Sequence, residues 1–562
     1  MATTDLNGPT PPAAEGPPRV APVLWLVALT ALLISALAMS ATQLWAAPES
    51  GGYVRLGADI AERFDFGDDL FLLRTPGYPL LLAAIFYLFG AASPTAILTL
   101  QYAMVIGTAV LTALIAWHIT NRRNVALLSG LFCAGSLHLL GFACVIMSEV
   151  TYTFALTASV LLLIKYHRYG RLRCLVLASL IVGMSYLQRP MGLTLLAVCI
   201  AAAAHRTWAA PSSTAGLFRS ATYFKRGLGG FAHRHSRRKR RVSFLVSTAA
   251  AILPAMVLVG PWMAFVSRRS PTAGSFAGPA LYRRLVTIDH LDSTTSAAMA
   301  DIRAVVDQAK DLGLLRPQQD YRDGPAVIAA YQTAHGLTHA QACAKLWQAD
   351  LDLLREHAWP VARKTAAHVA WTLLVPDSSY RYVPGGPAGL QIGAKHWVRA
   401  RNADVFDSAT YEPMMSRYLD PYRRYLPLRA DPTSTTGPWT AAVAWLHRRL
   451  EATPAIPALG ISPYEAYMTL CILGILGSMA SRERFAWLLL AVVVFAQVWG
   501  SAFLVGCVPR YAVPVHPLMH IFGAFVIVTA GRAVASVAGS AKRSIPDAVP
   551  DSDDSYGRLL DG

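Results

Sequence analysis

Long apolar runs broken by short polar interruptions fill most of the chain, at 22–46, 76–91, 96–118, 125–147, 150–165, 173–187, 191–208, 243–266, 463–480, 485–505 and 512–535. A helix needs about 20 apolar residues to cross a bilayer. The run 76–91 is short and begins with Pro76 and Pro79. Loop charges test the map. The loops 121–124, 165–173, 206–241 and 481–484 are basic, as is the exit at Arg532, Lys542 and Arg543. The loops at Glu149, at Gln188-Arg189-Pro190 and at Pro509-Arg510-Tyr511 carry little charge. Were 76–91 a full crossing, 121–124, 165–173 and 206–241 would face outward. As a partial helix it leaves every basic loop on the cytoplasmic side. The pattern predicts an all-α polytopic membrane protein with about ten transmembrane helices plus one partial or juxtamembrane helix, both termini cytoplasmic.

The remaining stretches divide the chain. Residues 1–19, rich in Pro, Ala and Gly, read as a disordered cytoplasmic start. The run after Arg19 is too long for a signal-peptide core and reads as the first crossing. A transmembrane core over 20–266, with a first outer loop at 47–75, precedes a mixed extracytoplasmic domain over 267–460. There 294–312 and 340–375 have helical period, 357–375 suits a helix on the membrane surface, and Asp289-His290 reads as surface. The C-terminal helices occupy 461–536, and 537–562 reads as a disordered cytoplasmic tail.

Composition narrows the classes. The 562 residues are 54% hydrophobic and 15% charged, well below the charge of a soluble domain. The net charge of +17 comes with basic loops such as 219–241, so it reads as topology and attraction to anionic lipid, not as nucleic-acid binding. Of seven cysteines, only Cys343 and Cys507 fall where an oxidising compartment could reach them, so there is no disulfide framework. No GxxxxGK[ST], HExxH or GxSxG stands in the context it needs, which disfavours an ATP-driven pump and common hydrolases.

The chemistry gathers on one face. The outer side receives Glu49, Asp59, Glu62, Asp65, Asp68, Asp69, Arg74, Glu149, Arg189 and Arg510. An acid beside cations at membrane level suits group transfer from a phosphate-linked lipid. A carboxylate takes the acceptor proton, and arginines take the growing phosphate charge. His516 and His520 share one face of the last span and read as a buried structural pair.

The run ESGGYVRLGADIAE…RTPGYPLLLAAIFYLFGAASP resembles the first outer loop of bacterial GT-C membrane glycosyltransferases of the protein O-mannosyltransferase and lipid A aminoarabinose transferase kind. Glu49, Tyr53 and Arg74-Thr-Pro-Gly-Tyr-Pro79 carry the likeness. Ser148-Glu149, Gln188-Arg189-Pro190, Pro261-Trp262 and Pro509-Arg-Tyr-Ala-Val-Pro514 extend it in family order; 267–460 matches poorly. The resemblance implies inverting transfer of a sugar from a polyprenyl-phosphate donor to an extracytoplasmic acceptor, in the bacterial inner membrane. It implies Glu49 as base, with Asp59 as the alternative, and Glu149 as a second acid. Tyr53, Arg74, Tyr78, Arg189, Arg510 and Tyr511 would hold donor phosphate and sugar. Glu49 stands where the family usually has Asp. No cofactor is certain; a Glu49/Glu149 pair could hold a divalent cation.

Two other classes compete. A lipid-linked sugar transporter or flippase should show mid-span charges and inverted repeats, and these spans are nearly free of such charges. A surface-glycan ligase or polymerase also has many spans and a large outer loop, but RTPGYP beside the first span speaks against it.

Overall fold

The computed structural model describes residues 20–42, 44, 50–67, 74–89, 93–209, 232–269, 277–315, 319–374, 382–383, 386–387, 463–481, 483–505 and 509–543. Among these residues eighteen α-helices run in order: α1 Ala21–Ser40, α2 Ser50–Arg63, α3 Gly77–Phe89, α4 Pro94–Thr120, α5 Arg123–Ala134, α6 Leu137–Ala143, α7 Glu149–Tyr169, α8 Leu172–Gln188, α9 Thr194–Ala209, α10 Ala232–Arg269, α11 Ala277–Tyr282, α12 Ala297–Asp311, α13 Gly324–His335, α14 His339–Glu356, α15 Ala358–Leu374, α16 Pro463–Ser478, α17 Arg484–Val505 and α18 His516–Arg543. Short 3₁₀ turns at Pro190–Leu193 and Pro509–Val515 lead into α9 and α18, and a π-turn at Arg283–Ile288 follows α11. Tyr382–Val383 and Gly386–Pro387 pair as a minimal antiparallel hairpin.

Among the described residues, seven helices are long and apolar enough to cross a membrane, or eight with the bent pair α5–α6. Helices α8 (17 residues) and α16 (16 residues) are shorter but apolar. At 1.5 Å per residue each is about 24–26 Å long, at the low end for a span. With both included the candidates number ten, against the about ten expected from the sequence. Helix α3, with 13 residues, is about 20 Å long, shorter than either. It lies against α2, where a Cβ on Gly57 would stand 2.9 Å from the Leu82 Cβ.

Two stretches differ from the sequence expectation. The outer loop carries a helix, α2, because Tyr53, Val54, Leu56 and Ile60 are buried on one side while Glu62 and Arg63 stay out. The run 125–147 is broken at Gly135-Ser136, where the chain bends by 46°. The Ser136 hydroxyl caps the new helix by accepting from the Leu139 amide at 3.5 Å.

Helices α11 to α14 build a core of their own around Leu281, Tyr282, Val306, Tyr331 and Leu346. Thr338 and Gln341 start α14 with a capping box. Helix α15 joins that core to the bundle. Val361 packs in the first, while Val369 and Leu373 pack in the second. The stretch expected on the membrane surface is thus packed along the bundle, with Trp359 and Trp371 left exposed.

Asp289 is buried, which corrects its surface reading; His290 is exposed. The reason is Arg284 on the π-turn. This fully buried guanidinium pairs with Asp289 and donates from Nε to the Ala502 carbonyl of α17 at 3.2 Å. Lys364 of α15 donates to the Asp289 carbonyl at 2.5 Å. Asp350 on α14 is also buried, and neither carboxyl oxygen has a hydrogen-bond partner among the described residues. Burial pushes this carboxyl up to about 9.

Candidate functional site

The site forms where α2, α3, the 144–148 turn, the α8 exit and the 3₁₀ turn before α18 meet. Its frame is a set of polar anchors inside apolar packing. Gln101 of α4 donates from Nε2 to the Ala143 and Val145 carbonyls, each at 3.1 Å. Its Oε1 accepts from the Tyr78 hydroxyl at 3.2 Å. One amide thus satisfies carbonyls freed by the end of α6 and fixes the tyrosine of RTPGYP. Ser50, which opens α2, donates to the Ile146 carbonyl at 2.8 Å.

Gly77 sets the approach of α3. A Cβ there would stand 2.6 Å from the Leu187 carbonyl oxygen and 2.9 Å from the Gln188 nitrogen. Only a residue without a Cβ lets RTPGYP lie against the α8 exit at this distance. The exit is held in turn by Thr151, whose hydroxyl bonds Gln188 Oε1 at 2.6 Å.

On this frame the functional side chains gather. Arg74 lies with its guanidinium 5.0 Å from the Tyr53 ring centre and its Nη1 3.4 Å from the Tyr53 hydroxyl. Tyr53 meets Tyr78 edge to face at 5.2 Å. The Tyr78 hydroxyl lies within electrostatic reach of Tyr53 and of the Glu149 carboxylate. Glu149, the first residue of α7, binds Arg189 Nη2 through Oε1 at 2.7 Å. Its side chain is 0% exposed and that of Arg189 13%. Tyr511 closes the other side, with its ring centre 5.2 Å from the Arg189 guanidinium.

Tyr53, Arg74, Tyr78, Glu149, Arg189 and Tyr511, widely spaced in sequence, therefore stand together. Asp59 is engaged in a helical ion pair, its Oδ1 2.6 Å from Arg63 Nη2. Glu49 and the Arg510 side chain lie outside the described residues. Gln101 was missed by sequence reasoning, and Gln188 was read only as part of the Gln188-Arg189-Pro190 motif. The usable signal was an amide in or at the end of an otherwise apolar span, which needs a buried partner.

The arrangement is electrostatically loaded. A buried carboxylate is tolerated because a guanidinium neutralises it. Yet Glu149 Oε2 is buried and has no hydrogen-bond partner among the described residues. A buried acceptor left open costs about 1–3 kcal/mol, more for a charged group. It is suited to receive a hydroxyl donor or a cation. Glu49, paired with Glu149 for a divalent cation in the sequence reading, lies outside the described residues. No group of three or more His, Cys, Asp or Glu among the described residues is arranged to hold one. Glu149 is already committed through one oxygen to Arg189, whereas Ca²⁺ takes six to eight oxygen ligands.

The two histidines of the last helix are buried and engaged by α16. Tyr467 Oη lies 2.7 Å from His520 Nδ1, and Tyr464 Oη lies 3.3 Å from His516 Nε2. His138 packs edge-on to His516 at 5.4 Å.

No protein-family model matches the chain, and no curated protein matches it. Among solved structures, similar ones include the oligosaccharyltransferase AglB from Archaeoglobus fulgidus, in complex with an inhibitory peptide and a dolichol-phosphate. Its TM-score is 0.40 at 12% identity, over 94% of this chain and 52% of that one. This chain thus spans about half the length of that protein. Another is ArnT from Cupriavidus metallidurans bound to undecaprenyl phosphate, with TM-score 0.33 at 11% identity, over 95% of this chain and 82% of that one. At these scores and identities the likenesses carry no inference about chemistry.

Proposed function

We propose that the protein is a membrane glycosyltransferase that moves a sugar from a polyprenyl-phosphate donor to an extracytoplasmic acceptor with inversion. The observation that carries this reading is the buried Glu149–Arg189 pair. It has one carboxylate oxygen open and sits beside Arg74, Tyr53 and Tyr78 at the end of the spans. Ionisable groups kept at membrane depth are costly, and this cluster lies where an amphipathic lipid phosphate would arrive.

In this reading the acceptor hydroxyl attacks the anomeric carbon opposite the phosphate. The bond from that carbon to the phosphate oxygen breaks, its electron pair stays on the phosphate, and Glu49 takes the hydroxyl proton. Arg74, Arg189 and Arg510 bear the charge that grows on the leaving phosphate. Tyr53, Tyr78 and Tyr511 pack against sugar or phosphate. Glu149 orients Arg189 and offers Oε2 to a substrate hydroxyl. In this reading the basic loops face the cytoplasm and the site opens on the periplasmic side of a bacterial inner membrane.

The test is genetic and chemical. Deleting the gene should cause a polyprenyl-phosphate monosaccharide to accumulate in the lipid fraction by mass spectrometry. Glu49→Gln should reproduce that accumulation with normal membrane levels of protein. A build-up of a whole-glycan carrier instead, or full transfer by Glu49→Gln, overturns respectively the donor or the base.

A further inference from the structure

At the far end of the bundle from this site, α5 and α18 enclose a groove of about 450 Å³. Leu127, Leu128 and Val528 wall it, Gly531 opens it, and Asn124 and Arg532 lie at its end. A Cβ on Gly531 would meet nothing within 4 Å, so the space there is unfilled. Arginines flank the mouth. Arg122 donates from Nη1 to Thr529 Oγ1 at 3.3 Å and lies 5.9 Å from the Phe525 ring centre. Arg123 and Arg532 are exposed.

The charge is uncompensated locally. The sequence has no Asp or Glu between 70 and 148, nor between 484 and 546. Neither α5, nor the turn before it, nor α18 can therefore supply an acidic partner. Arg532 lies sixteen residues beyond His516 on the same helix, about 24 Å along the axis. It is thus near the opposite interface of a hydrocarbon core about 30 Å thick. An apolar groove that ends in cations at headgroup level is complementary to one ligand chemistry, an apolar chain on a phosphodiester.

We propose that this groove binds an anionic phospholipid of the leaflet that the basic loops face. An acyl chain lies along Leu127, Leu128 and Val528 over Gly531. The headgroup phosphate lies between Arg532, Arg123 and Asn124. Arg122 braces the mouth through Thr529. The site is separate from the Glu149 cluster and does not depend on the transfer reaction.

The full-length protein, reconstituted with equal phosphatidylcholine and phosphatidylglycerol and then extracted in mild detergent, should retain phosphatidylglycerol in native mass spectrometry. Arg123→Gln and Arg532→Gln should each lower that retention about fivefold, the effect of one basic residue near an anionic surface. Gly531→Leu should abolish it by filling the groove, with an unchanged melting temperature in detergent. Equal retention of both lipids overturns the proposal, as does undiminished retention by Gly531→Leu. Retention of polyprenyl phosphate in place of the phospholipid also overturns it. Should Gly531→Leu fail to accumulate, the two arginine variants decide alone: retention unchanged in both sinks the site.

Discussion

Removing Arg189 should damage the protein more than removing both Arg189 and Glu149. At 2.7 Å and an effective dielectric near 20, the pair attracts by about 6 kcal/mol. Desolvation of both ions offsets much of this, so the net worth of the pair is small. The cost of breaking it is not. Arg189→Met leaves a carboxylate with 0% exposure and no counter-charge, a change of about 3–5 kcal/mol. Spread over an unfolding entropy of about 2 cal/mol/K per residue, this lowers the melting temperature by about 3–4 °C if the chain unfolds as one unit. Glu149→Gln alone should cost less, because Arg189 keeps 13% exposure and the Tyr511 ring. The double variant should recover about 2 kcal/mol or more relative to the sum of the singles. Melting curves of the four proteins in one detergent give the cycle. Strict additivity would show that the carboxylate is not held by this guanidinium. Transfer measured alongside separates roles: a double variant that regains stability but stays inactive marks the pair as part of the site.

Gly77→Ala should perturb the site from outside the chemistry. Its methyl would stand 2.6 Å from the Leu187 carbonyl, a contact that backbone must move to relieve, so transfer should fall at least about tenfold while α3 stays helical by circular dichroism. Asp350→Asn should stabilise the protein in a pH-dependent way. The folded carboxyl titrates at about 9 against 3.8 unfolded, so the folded state holds an extra proton between those values. Stability is then present in full below about pH 4 and declines as pH rises, by up to about 1.4 kcal/mol per unit, until about 9. The variant's advantage in melting temperature should therefore grow from pH 5 to pH 8.5; an advantage constant with pH would show that Asp350 is not protonated in the fold.

The span pattern was legible because it rests on two periodic signals, run length and loop charge. Together they marked 76–91 as short for a crossing and set the expected topology with the basic loops on one side. Helix α2 was less legible: Gly51-Gly52 and the surrounding acids read as loop, and its apolar face is matched by distant residues of α3 and α10. The 125–147 run looked continuous because a Gly-Ser pair costs little in hydropathy, yet it starts the short α6, whose end frees the carbonyls that Gln101 binds. The partners of Gln101 lie 42 and 44 residues away, and no local pattern announces them. The same holds for Asp289. Its counter-ion sits five residues back on a π-turn, a spacing that a 3.6-residue period does not bring into register. Motif order pointed to Tyr53, Arg74, Tyr78, Glu149, Arg189 and Tyr511, which the fold brings together, whereas the pairing of Asp59 with Arg63 was not read from the sequence.

Helix α15 sets a mechanical boundary condition. One rigid rod is anchored by Val361 among the outer helices and by Val369 and Leu373 among the spans, with Arg284 as a second strut to α17. The outer helices cannot tilt as a free lid without levering α15, and α15 abuts the 3₁₀ turn that carries Tyr511. An acceptor pressing on the outer helices would thus transmit torque to the ring beneath Arg189. The same coupling means that the outer helices, cut away at 357, would expose a torn apolar face and should precipitate rather than fold alone.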